Sequence, residues 1–218
     1  MLKVYYLKIS DNNSISEQFL FSKIEASTQK EIKAITKEQI RHQKCLGEAM
    51  SRELIESLWQ LRPEDYSIKR TEHGKPYVQG EVAVFYNLSH SGDYLICAFS
   101  DQEVGIDIQQ IKKEKPQLVE RYFHPNEILN WQRTPLIERK LLFYRYWAAK
   151  ESFLKYIGTG LSGSLSSFEI LFTNDGMQVK KAELQKQPYL WSLEIDPDYQ
   201  CCLCAASAEI PECHLFHF

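Results

Sequence analysis

The period of the apolar positions changes several times along this 218-residue chain. Residues 2–9 alternate and predict a strand. Residues 15–22 and 27–34 carry helical spacing, the second opening on Ser27 as a cap. Thr36 to Trp59 is a long helical run that begins in a capping signal and is closed by Pro63. Residues 61–80 read as loop and short strands around the turn Glu72–Pro76. Period-two stretches then predict strands over 82–89, 94–100 and 103–111, joined at Ser91–Asp93 and at Asp101–Gln102. Helical spacing returns over 117–122, 125–132 and Leu136–Ile157. The rest reads as strands at 167–172, 178–184, 189–195, 200–207 and 213–218.

The run Leu136–Ile157 holds no Pro or Gly. Leu142, Tyr146, Ala149, Phe153 and Ile157 make one apolar face of a helix. Trp147, Glu151 and Lys155 form a second stripe, one turn apart. Gly158 and Gly160 end the helix. By itself, a surface helix with an i,i+4 Glu–Lys pair accounts for that stripe.

Each half therefore reads as a long helix and an antiparallel meander. Asp93-Tyr-Leu-Ile-Cys-Ala-Phe-Ser100 is echoed by Asp198–Ser207, with a short insertion. These features predict an α+β protein of two similar lobes, 1–111 and 112–218, packed on each other. The charged stretch Lys112–Pro116 is the expected linker.

Apolar residues make up 44% of the chain and charged residues 25%, as in globular proteins. A net charge of −3 gives no basic footprint for nucleic acid. The N-terminal strand is too short and polar for a signal peptide, and no apolar run approaches a membrane span. These observations predict a cytoplasmic protein that binds neither membrane nor nucleic acid. Of six cysteines, Cys201, Cys202 and Cys204 crowd one strand. Alternation puts Cys202 and Cys204 on one face and Cys201 on the other, and metal-ligand spacing is missing. They read as buried free thiols.

Several polar residues stand out. Asp107 lies in the apolar strand Val104–Ile111, sharing a face with Gln109 opposite Ile106 and Ile108. An acid there needs a partner or a metal, though a salt bridge or an exposed turn would also explain it. Gly105 permits close approach. Asn87-Leu-Ser-His-Ser-Gly92 reads as a turn offering donors to phosphate, or as an ordinary polar hairpin. Lys75, in Gly74-Lys-Pro76, presents one cation on a turn. Pro125 starts a helix and sets Glu127 in its first turn.

Together, Gly74-Lys-Pro76, Asn87–Gly92, Val104-Gly-Ile-Asp-Ile108, Phe123-x3-Glu127 and Trp147-x2-Lys-Glu-Ser-x2-Lys155 resemble the 4′-phosphopantetheinyl transferase superfamily. Order and spacing are similar to its single-chain, two-lobed Sfp-type branch. The resemblance implies that fold, a pseudo-twofold pair of lobes with the active site at their interface, in a monomer. It implies Mg²⁺-dependent transfer of 4′-phosphopantetheine from coenzyme A to a serine of an apo acyl or peptidyl carrier protein. Adenosine 3′,5′-bisphosphate is released, and the carriers serve fatty-acid, polyketide or nonribosomal-peptide synthesis. Asp107 and Glu151 match the metal ligands and Glu151 the candidate base. Lys155 matches the lysine facing the pyrophosphate. Lys44, Lys75, Ser89 and His90 match positions that hold coenzyme A.

The chain departs from the pattern at Gln109, where many members have an acid. Gln109 would then ligate the metal through its amide oxygen or yield to water. Lys30 and Lys33 lie near the N-terminal cationic positions without a clear match. Two rivals remain at this stage: a carrier-binding module without transfer, and a metal-dependent nucleotide hydrolase.

Overall fold

The computed structural model describes residues 1–113, 116–160, 164–174, 176–182, 184 and 186–218. Strand β1 (Leu2–Lys8) leads into helices α1 (Glu17–Ser22), α2 (Ala26–Lys33) and α3 (Glu38–Trp59). The hairpin β2 (Tyr66–Arg70) and β3 (Pro76–Gly80) follows, then β4 (Phe85–Ser91), β5 (Tyr94–Ser100) and β6 (Val104–Gln110). Helices α4 (Pro116–Tyr122), α5 (Pro125–Arg133) and α6 (Leu136–Ile157) come next. Strands β7 (Glu169–Thr173), β8 (Gly176–Lys180), β9 (Tyr189–Leu193), β10 (Tyr199–Ala205) and β11 (Glu212–Leu215) complete the chain.

Two sheets carry the architecture, ordered β11-β1-β5-β4 and β6-β10-β9-β8-β7. A 22-residue helix lies on each, α3 on the first and α6 on the second. The sheets face each other through Leu2, Val4, Tyr94, Ile96 and Ala98 on one side and Ile106, Ile108, Tyr199, Cys201 and Leu203 on the other. The order of layers is helix, sheet, sheet, helix. β5 is buried along its whole length because its faces serve two cores. Leu95, Cys97 and Phe99 meet α3, while Tyr94, Ile96 and Ala98 meet the second sheet. β10 is its counterpart, with Cys202 and Cys204 toward α6 and Cys201 toward the first sheet. The sequence echo between 93–100 and 198–207 thus marks two central strands, each seven residues long.

The two halves of the sequence exchange strands. β6 hydrogen-bonds to β10, with Asp107 opposite Cys202. β11 returns to the first sheet and pairs parallel to β1. A parallel edge strand was not legible in the alternation alone. Residues 114 and 115 of the expected linker, and residue 183 of the strand expected over 178–184, lie outside the described residues.

Some local expectations needed correction. Ser27 lies inside α2, whose N-cap is Glu25; Ser16 instead caps α1 through the Phe19 amide. α3 starts after Lys37 with no side-chain cap, because packing of its face on the first sheet holds it without one. All six cysteines are free thiols; five are buried and Cys213, on the edge strand β11, is exposed. No helix among the described residues is long and apolar enough to cross a membrane.

Candidate functional site

β6 and α6 approach each other at Gly105. A Cβ placed there would lie 2.2 Å from the Ser152 carbonyl oxygen and 2.3 Å from the Tyr156 amide nitrogen. Only glycine allows that contact. Two residues on, the alternation of β6 turns Asp107 toward α6, opposite the buried Ile106 and Ile108. α6 meets it with the stripe read from sequence: Glu151 and, a turn later, Lys155. Gly158, at φ 72°, then caps the helix.

Asp107 is 2% exposed and satisfied by three donors. Lys155 Nζ reaches its Oδ1 at 2.6 Å, Ser89 Oγ donates to the same oxygen at 2.9 Å, and Gln109 Nε2 donates to Oδ2 at 2.8 Å. Lys155 Nζ also donates to Ser89 Oγ at 2.8 Å and to the Ile106 carbonyl at 3.0 Å. The salt-bridge reading of Asp107 therefore describes the observed arrangement. Gln109 acts here as a hydrogen-bond donor, so its amide orients Asp107.

Glu151 forms no hydrogen bond or ion pair with a described residue. Burial raises its pKa, and the Asp107 charge adds to the rise; Lys155 partly opposes both. Two carboxylates that feel each other, with an amide beside them, make an all-oxygen donor set suited to a hard cation that keeps waters or phosphate oxygens. Among the described residues no three His, Cys, Asp or Glu side chains cluster as a metal site. A cation here would rest on the carboxylates of Asp107 and Glu151, and Gln109 would join only with its amide oxygen turned inward.

Lys155 lines a cavity of about 280 Å³ with Lys44, Arg70, Lys75, His73 and His90. Four of the five expected coenzyme A residues meet there. The fifth, Ser89, is buried beneath them. Each free-standing cation already has a counter-charge. Lys44 and Arg70 both bind Glu48 Oε1, at 2.9 and 2.7 Å, and Glu48 is itself buried. Lys75 pairs with Glu103 at 2.6 Å and donates to the Tyr156 carbonyl at the end of α6 at 3.0 Å. Desolvation lowers the His90 pKa, and Lys155 and Lys44 lower it further. Its imidazole is therefore neutral at neutral pH. Sequence reading missed Arg70, Glu48 and Glu103. The one available signal was Glu48, an acid within the buried run Cys45–Met50 of α3.

A second cavity of about 460 Å³ opens beside Glu151, walled by Leu118, Arg121, Tyr122, Trp147 and Leu165. The helix stripe therefore spans two chambers, with Lys155 in the cationic one and Glu151 in the more apolar one.

The segment Asn87–Gly92 differs from its reading as a phosphate-binding turn. Residues 87–91 belong to β4, and the turn is Gly92–Asp93. Alternation points Asn87, Ser89 and Ser91 inward to β6, while Asn87, Leu88 and His90 line the cavity. Glu127 is also removed from this cluster. It pairs with Lys150 at 2.8 Å, both side chains 1% exposed, and accepts from the His124 and Ile170 amides. Lys150 in turn donates to the Phe168 carbonyl. The pair anchors α5, α6 and β7 in the core.

Comparison with known proteins follows the same line. Residues 103–204 match the 4′-phosphopantetheinyl transferase superfamily, and residues 13–102 match the family of 4′-phosphopantetheinyl transferase N-terminal regions. The chain is 34% identical over 172 residues to the 4′-phosphopantetheinyl transferase Sfp of Bacillus subtilis, covering 78% of this chain and 77% of that protein. It is 31% identical over 194 residues to the 4′-phosphopantetheinyl transferase ffp of Bacillus subtilis, covering 88% and 87%. A holo-(acyl-carrier-protein) synthase from Bacillus anthracis, solved in complex with CoA (3′,5′-ADP), overlaps 48% of this chain and 96% of its own at a TM-score of 0.42 and 20% identity.

Proposed function

The chain belongs to the 4′-phosphopantetheinyl transferase superfamily, and we propose that it works as a single-chain enzyme whose transfer step lies between its two chambers. Its general activity is transfer of 4′-phosphopantetheine from coenzyme A to a carrier protein. The finer reading is Mg²⁺-dependent transfer to a carrier serine with release of adenosine 3′,5′-bisphosphate.

The observation that carries this reading is the contact of Asp107, Ser89 and Lys155 at the join of the two chambers. The cationic chamber offers Lys44, Arg70, Lys75 and His90 to the phosphates of the nucleotide. Its cations are held in place by Glu48 and Glu103, so little rotamer entropy is lost when a phosphate arrives. The apolar chamber suits the uncharged pantetheine arm and the approaching carrier. Both chambers are complete within one chain, in keeping with a monomer.

Asp107 and Glu151, with the Gln109 amide oxygen turned inward, would hold Mg²⁺. When bound, the ion would neutralise charge on the pyrophosphate. Glu151 has no hydrogen-bond partner among the described residues and can accept the serine proton. The serine oxygen attacks the phosphorus that bears pantetheine. The bond from that phosphorus to the bridging oxygen breaks, and the electron pair leaves with adenosine 3′,5′-bisphosphate. Lys155, already beside Asp107, donates to the oxygens where negative charge grows.

The test is mass spectrometry of an apo carrier incubated with the protein, coenzyme A and Mg²⁺. One phosphopantetheine per carrier, with adenosine 3′,5′-bisphosphate as co-product, is the expected result. Asp107→Ala and Glu151→Ala should each nearly abolish it while remaining folded. A carrier of unchanged mass would refute the reading, and breakdown of coenzyme A without carrier would make the protein a hydrolase.

A further inference from the structure

At one side of the molecule the edge strands of the two sheets meet. β4 runs parallel to β6, yet no backbone ladder joins them. Instead Asn87 Oδ1 accepts from the Ile106 amide at 2.9 Å, Ser89 Oγ from the Ile108 amide at 3.4 Å, and Ser91 Oγ from the Gln110 amide at 2.9 Å. Every rung joins residues 19 apart in sequence. The other edge of β6 is occupied by β10, so these amides point away from their own sheet. The Ile106 and Ile108 amides lie in the interior, where an unpaired amide is costly, and the Gln110 amide is half-buried. The middle rung is the longest because Ser89 is also drawn to Asp107 and Lys155.

We propose that Asn87 and Ser91 are positioning residues for the transfer, fixing the strand that bears Asp107 beside the strand that bears Ser89 and His90. The spacing matters as much as the bonds. Backbone-paired strands sit about 4.8 Å apart and use their edge carbonyls on each other. A ladder of side chains holds β4 farther off and leaves the Ile106 carbonyl open. Lys155 Nζ occupies that opening, bound to Ile106 O, Ser89 Oγ and Asp107 Oδ1. The outer rungs flank it, Asn87 two residues before Ser89 and Ser91 two after. Losing either lets β6 shift along or away from β4, and Asp107 moves relative to Lys155 and Glu151. The nucleotide chamber is lined by Tyr86, Asn87, Leu88 and His90 of β4, by α3 and by Lys155, but not by Ser91 or β6, so coenzyme A binding is the cleaner control for Ser91.

This inference rests on the transfer reading above. Its test uses the full chain with Asn87→Ala, Ser91→Ala and the acceptor-keeping Ser91→Thr. Transfer kinetics are combined with calorimetric coenzyme A binding and with amide exchange at Ile106 and Gln110. Each Ala variant should lower kcat roughly tenfold or more, as expected of a misplaced catalytic group. Coenzyme A affinity should hold within about threefold in Ser91→Ala, whose side chain does not line the nucleotide chamber. Ser91→Thr should restore kcat. Native kcat in Ser91→Ala or Asn87→Ala, with exchange at the matching amide accelerated, would make the ladder merely structural and overturn the proposal. Should Asn87→Ala fail to fold, the half-buried Ser91 pair decides by itself. Absence of transfer by the native protein would sink the transfer reading and this role together, whereas an active native protein with unaffected variants sinks this role alone.

Discussion

Gly105→Ala should disable the enzyme through a single methyl group. The added Cβ would meet three backbone atoms of α6: Ser152 O at 2.2 Å, Tyr156 N at 2.3 Å and Lys155 C at 2.8 Å. Ordinary contact begins near 3.4 Å, so α6 and β6 must part by about 1 Å. No flexible side chain can give way instead. Overpacking of this kind costs about 1–3 kcal/mol, which lowers Tm by roughly 2–12 °C for a chain of this size. The effect on rate should be larger than the effect on stability. β6 and α6 part where Asp107 must meet Lys155 and Glu151, and a 1 Å misplacement costs about 10²-fold. The assay is kcat for transfer to an apo carrier, measured well below the variant's Tm, beside a thermal melt. A variant with native kcat would show that the approach of β6 to α6 does not set the catalytic geometry.

Three further outcomes follow from the same contacts. Lys75→Ala and Arg70→Ala should each raise the Kd for coenzyme A by roughly tenfold or more, as for loss of a charge-assisted bond. The loss should be smaller with dephospho-coenzyme A, and equal losses would place both cations away from the 3′-phosphate. Gln109→Glu replaces the donor on Asp107 by a second carboxylate. Its Tm without Mg²⁺ should fall, by about 1–3 kcal/mol of stability, and its Mg²⁺ midpoint for thermal stabilisation should drop below the native one; unchanged values in both would make residue 109 a bystander. Lys150→Ala strands Glu127 in the core and should cost about 3–5 kcal/mol by denaturant unfolding, and a loss under about 1 kcal/mol would contradict the pairing.

What the sequence determined by itself were the features whose signal is local. The spacing of Leu142, Tyr146, Ala149, Phe153 and Ile157 marked α6 to its observed limits, because helix periodicity and the stop at Gly158 are properties of neighbours in the chain. Alternation put Asp107 opposite Ile106 and Ile108, and Cys201 opposite Cys202, since strand period alone decides which face a residue takes. The stripe of Trp147, Glu151 and Lys155 was legible for the same reason. Tertiary structure decided everything that depends on which strands become neighbours. That β6 joins β10, and β11 joins β1, follows from burial of whole faces between segments far apart in sequence. The role of Gln109 as a donor to Asp107, of Glu48 as the shared counter-ion of Lys44 and Arg70, and of Glu103 on Lys75 arose there as well. So did the turning of Ser89 and Ser91 inward: a polar run of Asn, Ser, His and Ser reads as a turn until a second strand supplies amides for it to bind. Side chains find these partners only after the layers pack, and a one-dimensional pattern does not record what stands on the far side of a strand.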